Sequence, residues 1–150
     1  MFDNKHSASK IIGIKTFDDN LLAALNDGAL VSIGVDSEGN WEHKEILAGK
    51  FEPSLKKQYN KMVYDDEGGY CLVGKEVLPF LFDSVKNLVV WNGKNVPNDE
   101  LDLRVPINDT DATFFKNRNC LACAHADSKI RIYDIRTNKQ KPSADYHLKL

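Results

Sequence analysis

Short apolar runs separated by turn chemistry set the pattern of this chain. Segments 21–25, 30–35, 71–73, 88–91 and 130–135 are rich in Val, Ile, Leu and aromatic residues, the composition that suits a pleated, half-buried surface. Turn residues bound them: Asn26-Asp27-Gly28, Glu38-Gly39-Asn40 and Glu67-Gly68-Gly69, where Asn, Asp and Gly accept tight backbone geometry. Window 54–61 is the one candidate helix, yet it lacks an apolar face at helical spacing and reads as loop leading into a strand. Many short strands with frequent turns predict an all-β sandwich, barrel or propeller.

Internal repetition selects among these. Leu21-Leu22-Ala23-Ala24-Leu25, the turn at Asp27-Gly28 and the strand Leu30-Val31-Ser32-Ile33 parallel Cys120-Leu121-Ala122-Cys123-Ala124, the turn at Asp127-Ser128 and Ile130-Arg131-Ile132-Tyr133. A looser copy lies between them, 70–74 followed by a turn at Lys75-Glu76 and then 79–83. The turn acids Asp27, Glu76 and Asp127 recur about every 50 positions, close to the period of a four-stranded propeller blade. Phe82-Asp83 and Tyr133-Asp134 stand where WD repeats carry Trp-Asp. The predicted fold is therefore a partial WD40-type β-propeller with blades at 10–48, 57–92 and 112–150, and a long connection at 93–111. Connections of that length are usually functional or mobile.

Composition narrows the function class. The 150 residues carry 20 basic and 22 acidic side chains, a net charge of −2, which excludes nucleic-acid binding through bulk positive charge. The first ten residues hold no apolar core of a signal peptide, and the longest apolar run, 77–82, is too short to span a bilayer; a soluble intracellular protein is expected. Three cysteines, Cys71, Cys120 and Cys123, do not make a disulfide framework. Cys120-x-x-Cys123 lacks a second pair or spaced histidines for zinc and reads as small core residues. His125 reads as a turn histidine. Asp99, Glu100 and Asp102 lack a calcium-loop pattern, and Asn108-Asp109-Thr110 is an incidental sequon. The chain contains no phosphate loop, nucleophile elbow or HExxH motif, so neither catalysis nor a cofactor is expected.

The connection itself carries the candidate chemistry. Leu101, Leu103, Val105 and Ile107 alternate with Asp102, Arg104 and Pro106, so an extended backbone separates an apolar side from a polar one. This predicts a loop pinned to the body by its leucines and displaying its polar groups. Arg104 offers a planar fork to phosphate or carboxylate, and Asn95 and Asn98 can read backbone groups. With Lys94, Asp99 and Asp102 they form the candidate partner-binding set. The competing reading pairs Asp102 with Arg104, or both with loop carbonyls, and makes them only stiffeners.

The run Lys94-Asn95-Val96-Pro97-Asn98-Asp99-Glu100-Leu101-Asp102-Leu103-Arg104-Val105-Pro106-Ile107, preceded by Val90-Trp91-Asn92-Gly93 and followed by the strand pair ending in Lys129-Ile130-Arg131-Ile132-Tyr133-Asp134, resembles the hallmark of a known family. This is the nucleolar WD repeat-containing protein 74 family, the Nop-seven-associated proteins of large-subunit ribosome assembly. The resemblance implies a non-enzymatic scaffold that binds pre-60S particle proteins, and rRNA as a further contact, during rRNA processing. It also implies placement in the nucleus and nucleolus, and removal with help from an AAA-type ATPase. Family members carry Trp where this chain has Asn108, and they are longer, with a seven-bladed propeller and a Lys-rich tail. An interior fragment with its own Met1, or a shortened product, is expected. The alternative is a generic interaction propeller fragment or a nonfunctional truncated product. With neighbouring blades absent, Ile11, Ile14, Leu148 and Leu150 are expected to lose partners, leaving a chain that associates or folds marginally.

Overall fold

The structure, a computed structural model, describes residues 9–17, 19–46, 58–65, 67–86, 88–117 and 119–149. Among them there are strands and no helix. The first sheet takes β1 (Ile11–Phe17), β2 (Asn20–Leu25), β3 (Leu30–Val35) and β4 (Trp41–Glu45). The second takes β5 (Gln58–Tyr64), β6 (Gly69–Lys75), β7 (Val77–Asp83) and β8 (Leu88–Asn92), and the third β9 (Asp109–Phe115), β10 (Cys120–His125), β11 (Lys129–Asp134) and β12 (Ala144–His147). Each sheet is an antiparallel meander in chain order. The strand after window 54–61 begins at Gln58, while 54–57 lie outside the described residues. The third sheet opens at Asp109, three residues before the position expected, so the connection runs from 93 to 108.

The fold follows from local turn chemistry. The turn between the second and third strand of each sheet needs one residue with positive φ, supplied by Gly28 (90°), Glu76 (56°) and Ser128 (63°). In the first turn, Leu25 N–H donates to Ala29 O at 2.9 Å and Ala29 N–H to Asp27 Oδ1 at 3.0 Å, the side-chain bridge that favours Asp before a turn. Phe82-Asp83 and Tyr133-Asp134 share a division of labour. The aromatic rings are buried, 2% and 1% exposed. Asp83 accepts the N–H groups of Val85 and Lys86 at 3.0 and 2.9 Å, and Asp134 holds the Arg136 side chain at 3.0 and 2.7 Å.

First strands bring the sheets together: β1 packs on β5, and β5 and β6 pack on β9. Gly13 permits the first contact, because a Cβ there would stand 2.7 Å from that of Met62. One apolar core joins the first and second sheets through Ala24, Leu30, Met62, Leu72 and Phe80. Another joins the second and third through Cys71, Val73, Leu81, Trp91, Leu121, Cys123 and Tyr133. Successive sheets packed face to face in this way make a partial WD40-type β-propeller.

Repeat equivalence also identifies what the arc leaves open. Aligning the turns at Asp27, Glu76 and Asp127 places Ala24, Val73 and Ala124 at one position of the second strand, and Leu22, Cys71 and Ala122 at another. The members in the first two sheets are buried, whereas Ala122 and Ala124 are half-buried, as are their cross-strand partners Ile132 and Ile130. At the other end Ile11 and Ile14 are 61% and 60% exposed; on the third sheet Leu148 is 48% exposed, and Leu150 lies outside the described residues. A face that packs on a neighbour in two sheets and is half-open in the third predicts concentration-dependent self-association, read by sedimentation velocity and weakened by Ile130→Lys. A compact monomer with one cooperative melt at all concentrations contradicts it.

Candidate partner-binding loop

Segment 93–108 is fastened at both ends to the second and third sheets. Gly93 N–H donates to Pro79 O and Lys94 N–H to Gln140 O, each at 2.8 Å. At the far end Glu76 N–H donates to Ile107 O at 2.9 Å, and Ile107 N–H returns to Glu76 Oε1 at 3.3 Å. Arg104 Nη1 lies 2.7 Å from Glu76 Oε2. Burial raises the Glu76 carboxyl, but the Ile107 N–H and the Arg104 guanidinium outweigh it and hold the group below its usual value. On the third sheet, Ala126 N–H donates to Asn108 O at 2.9 Å and Asn108 N–H to His125 Nε2 at 3.0 Å.

The tip is a tight turn, with its polar groups directed into it. Asp99 Oδ1 accepts the N–H groups of Leu101 and Leu103, each at 2.9 Å, while Asp99 N–H donates to Leu103 O at 2.9 Å. Asn98 Nδ2 donates to Asp102 O at 3.2 Å and Oδ1 at 3.0 Å. Asn95 Nδ2 donates across the loop to Val105 O at 2.7 Å, and Asn95 Oδ1 accepts from Val96 N–H at 2.9 Å and Arg131 Nη1 at 3.4 Å. Lys94 alone of the candidate set stands outside this network by its side chain, exposed beside an open cleft that also takes Asp134 and residues 137–143.

Two sequence expectations are thereby corrected. Asp102 and Arg104 do not pair with each other: Asp102 serves Asn98 and Arg104 serves Glu76. The leucines do not pin the loop, because Leu101 and Leu103 are 77% and 58% exposed, whereas Ile107 is 2% exposed. The physical reason is the left-handed φ of 60° at Asp102, which breaks the extended backbone that alternation presumes. Beyond the turn alternation resumes, and burial deepens from Leu103 through Val105 to Ile107 as the chain approaches the body.

Beneath the loop lies a buried polar cluster. His125 is 9% exposed, and its Nδ1 meets Asp127 Oδ1 at 2.5 Å; its Nε2 lies against Asn108 N–H at 3.0 Å and Pro106 O at 3.2 Å. Lys129 Nζ reaches Asp127 Oδ2 at 2.6 Å. Arg131, 1% exposed, turns one nitrogen to Asn95, while its Nε, 3.7 Å from Asp145 Oδ2, and its Nη2 have no hydrogen-bond partner among the described residues, and neither has Asp109 Oδ1. Burial pushes the Asp109 carboxyl up to about 6, against the opposing charges of His125 and Arg131 and with the repulsion of Asp127.

That shift has a readable consequence. Between pH 4 and 6 the folded chain holds a proton on Asp109 that the unfolded chain releases, so this group's contribution falls as pH rises and is constant above about 6. Asp109→Asn removes the dependence. The variant is expected to gain about 2 to 3 kcal/mol relative to the parent between pH 4 and 7. Urea unfolding at several pH values measures this, and parallel stability curves contradict it.

The thiols behave as core. Cys71, Cys120 and Cys123 are free and buried, and burial pushes Cys71 up to about 12 and Cys123 well above the usual thiol value. Sequence reading missed Glu76 and Arg131 as the clamps of the loop, since both act across about 30 residues, a separation no local pattern reports. The Asx-turn signature Asn98-Asp99-x-x-Asp102 was the available sign that the leucines would be turned outward.

The chain is 42% identical over 78 residues to the ribosome biogenesis protein NSA1 of Meyerozyma guilliermondii, a match covering 51% of this chain and 18% of that protein. It is 26% identical over 131 residues to WD repeat-containing protein 74 of Mus musculus, covering 87% of this chain and 33% of that one. It thus spans about a fifth to a third of the length of these relatives. No family model matches the chain. Among solved structures, the computationally designed Ika8 protein superposes with a TM-score of 0.63 at 13% identity, covering 89% of this chain and 35% of that chain, a likeness of fold alone.

Proposed function

We propose that this chain is a non-enzymatic WD-repeat scaffold of ribosome biogenesis, which binds precursors of the large ribosomal subunit in the nucleolus while their rRNA is processed. Segment 93–108 is its recognition element, with Lys94, Asn95, Asn98, Asp99, Asp102 and Arg104 setting its shape and charge. Proteins of the precursor are the direct partners, and an AAA-type ATPase of large-subunit maturation releases the chain. The observation that carries the reading is the similarity to a relative named as a ribosome biogenesis protein. The loop supports it: a connection fastened at four backbone positions is held in one shape before a partner arrives, which lowers the entropic cost of binding.

The test is recovery of RNA with the tagged chain from dividing cells. Enrichment of large-subunit precursor rRNA over small-subunit precursor is expected. Equal recovery of the two, or of neither, contradicts the reading.

A further inference from the structure

The hydrogen-bond inventory of the loop determines what its tip has left to offer. Asp99 Oδ1 and Asn98 Nδ2 are spent on the loop itself, Asn95 is divided between the loop and Arg131, and Arg104 is matched by Glu76. What projects is Leu101 and Leu103, 77% and 58% exposed, on a turn held by four bonds to Asp99. Around them stand Asp99, Glu100 and Asp102, all exposed, with no Lys or Arg in 95–103. Three carboxylates without a cation repel a phosphate backbone, whose recognition rests on Lys, Arg and neutral donors. Two rigidly presented leucines ringed by acid suit an apolar pocket with a basic rim, where buried anchors supply affinity and complementary charge supplies selectivity.

We infer that the tip of this loop is a protein-docking element: Leu101 and Leu103 enter an apolar pocket of a protein partner, and Asp99, Glu100 and Asp102 face Lys or Arg on its rim. The inference rests on the function proposed above and deepens it, naming the residues of the loop that dock and the chemistry of the protein surface that receives them.

A photoreactive benzoylphenylalanine placed at 101 or 103 of the full chain tests it in dividing cells. Irradiation is expected to give a protein adduct that withstands nuclease, with the crosslinked peptide mapping to an apolar pocket edged by Lys or Arg. In parallel, Leu101→Ser/Leu103→Ser lowers recovery of large-subunit precursor rRNA by at least about tenfold, as loss of interface anchors does, with the thermal melt unchanged. A nuclease-sensitive adduct, or no adduct, overturns the inference. Full precursor recovery by the Ser variant also overturns it and leaves the assembly-factor reading standing. A protein adduct on a chain that recovers no precursor rRNA keeps the docking tip and overturns that reading.

Discussion

Ile107→Ala is expected to lower the unfolding free energy by about 2 to 5 kcal/mol, and Leu103→Asp to leave it within about 0.5 kcal/mol of the parent chain. The two residues lie on the same side of one short extended run, yet Ile107 is 2% exposed and Leu103 58%. Truncating Ile107 opens a cavity beneath a residue whose N–H and C=O both bond Glu76, so the clamp of the loop loosens together with the packing. A charge at position 103 stays in water and disturbs only the Asp99 turn, which is held through backbone N–H groups. Urea unfolding of both variants measures the contrast. Comparable losses for the two would mean that the leucines are seated in the body and that the tip is not presented.

Tyr133→Ala should cost about 3 to 5 kcal/mol, the range for a large aromatic lost from a core. Tyr133 is 1% exposed and meets Trp91 edge-on, with ring centroids 5.5 Å apart and planes at 74°, a geometry that adds to simple burial. Trp91 belongs to β8 and Tyr133 to β11, so this contact joins the second sheet to the third. The same variant gives an optical readout. Trp41 is 75% exposed and Trp91 8%, so a red shift of tryptophan emission in the still-folded variant reports water reaching Trp91. A loss below about 1 kcal/mol with unchanged emission contradicts the role of the pair at this junction.

These two residues also mark where the sequence was informative and where it was not. Tyr133 was legible: it occupies the aromatic position of a Trp-Asp-like pair, after a small-residue strand and an Asp turn that recur along the chain. Strand alternation reports faces reliably when both faces are covered by neighbouring sheets, as at Cys71 and Leu72, which enter different cores. Leu103 was misread because alternation assigns sides without saying which side is covered, and because a single left-handed residue, Asp102, ends the extended geometry it assumes. The link from Arg104 to Glu76 was not legible. It depends on the connection crossing over the β6–β7 turn, a consequence of sheet packing. Nor was the Asp109, His125 and Arg131 cluster, whose members look like ordinary strand ends and a turn histidine until the third sheet closes over them.

Sedimentation of the tagged chain through a density gradient, parent beside Leu101→Ser/Leu103→Ser, tests the account most directly. The parent is expected to move with large-subunit precursors, and the variant, with its melting temperature unchanged, to stay at the top of the gradient. A folded variant that moves with the precursors as fully as the parent would contradict it.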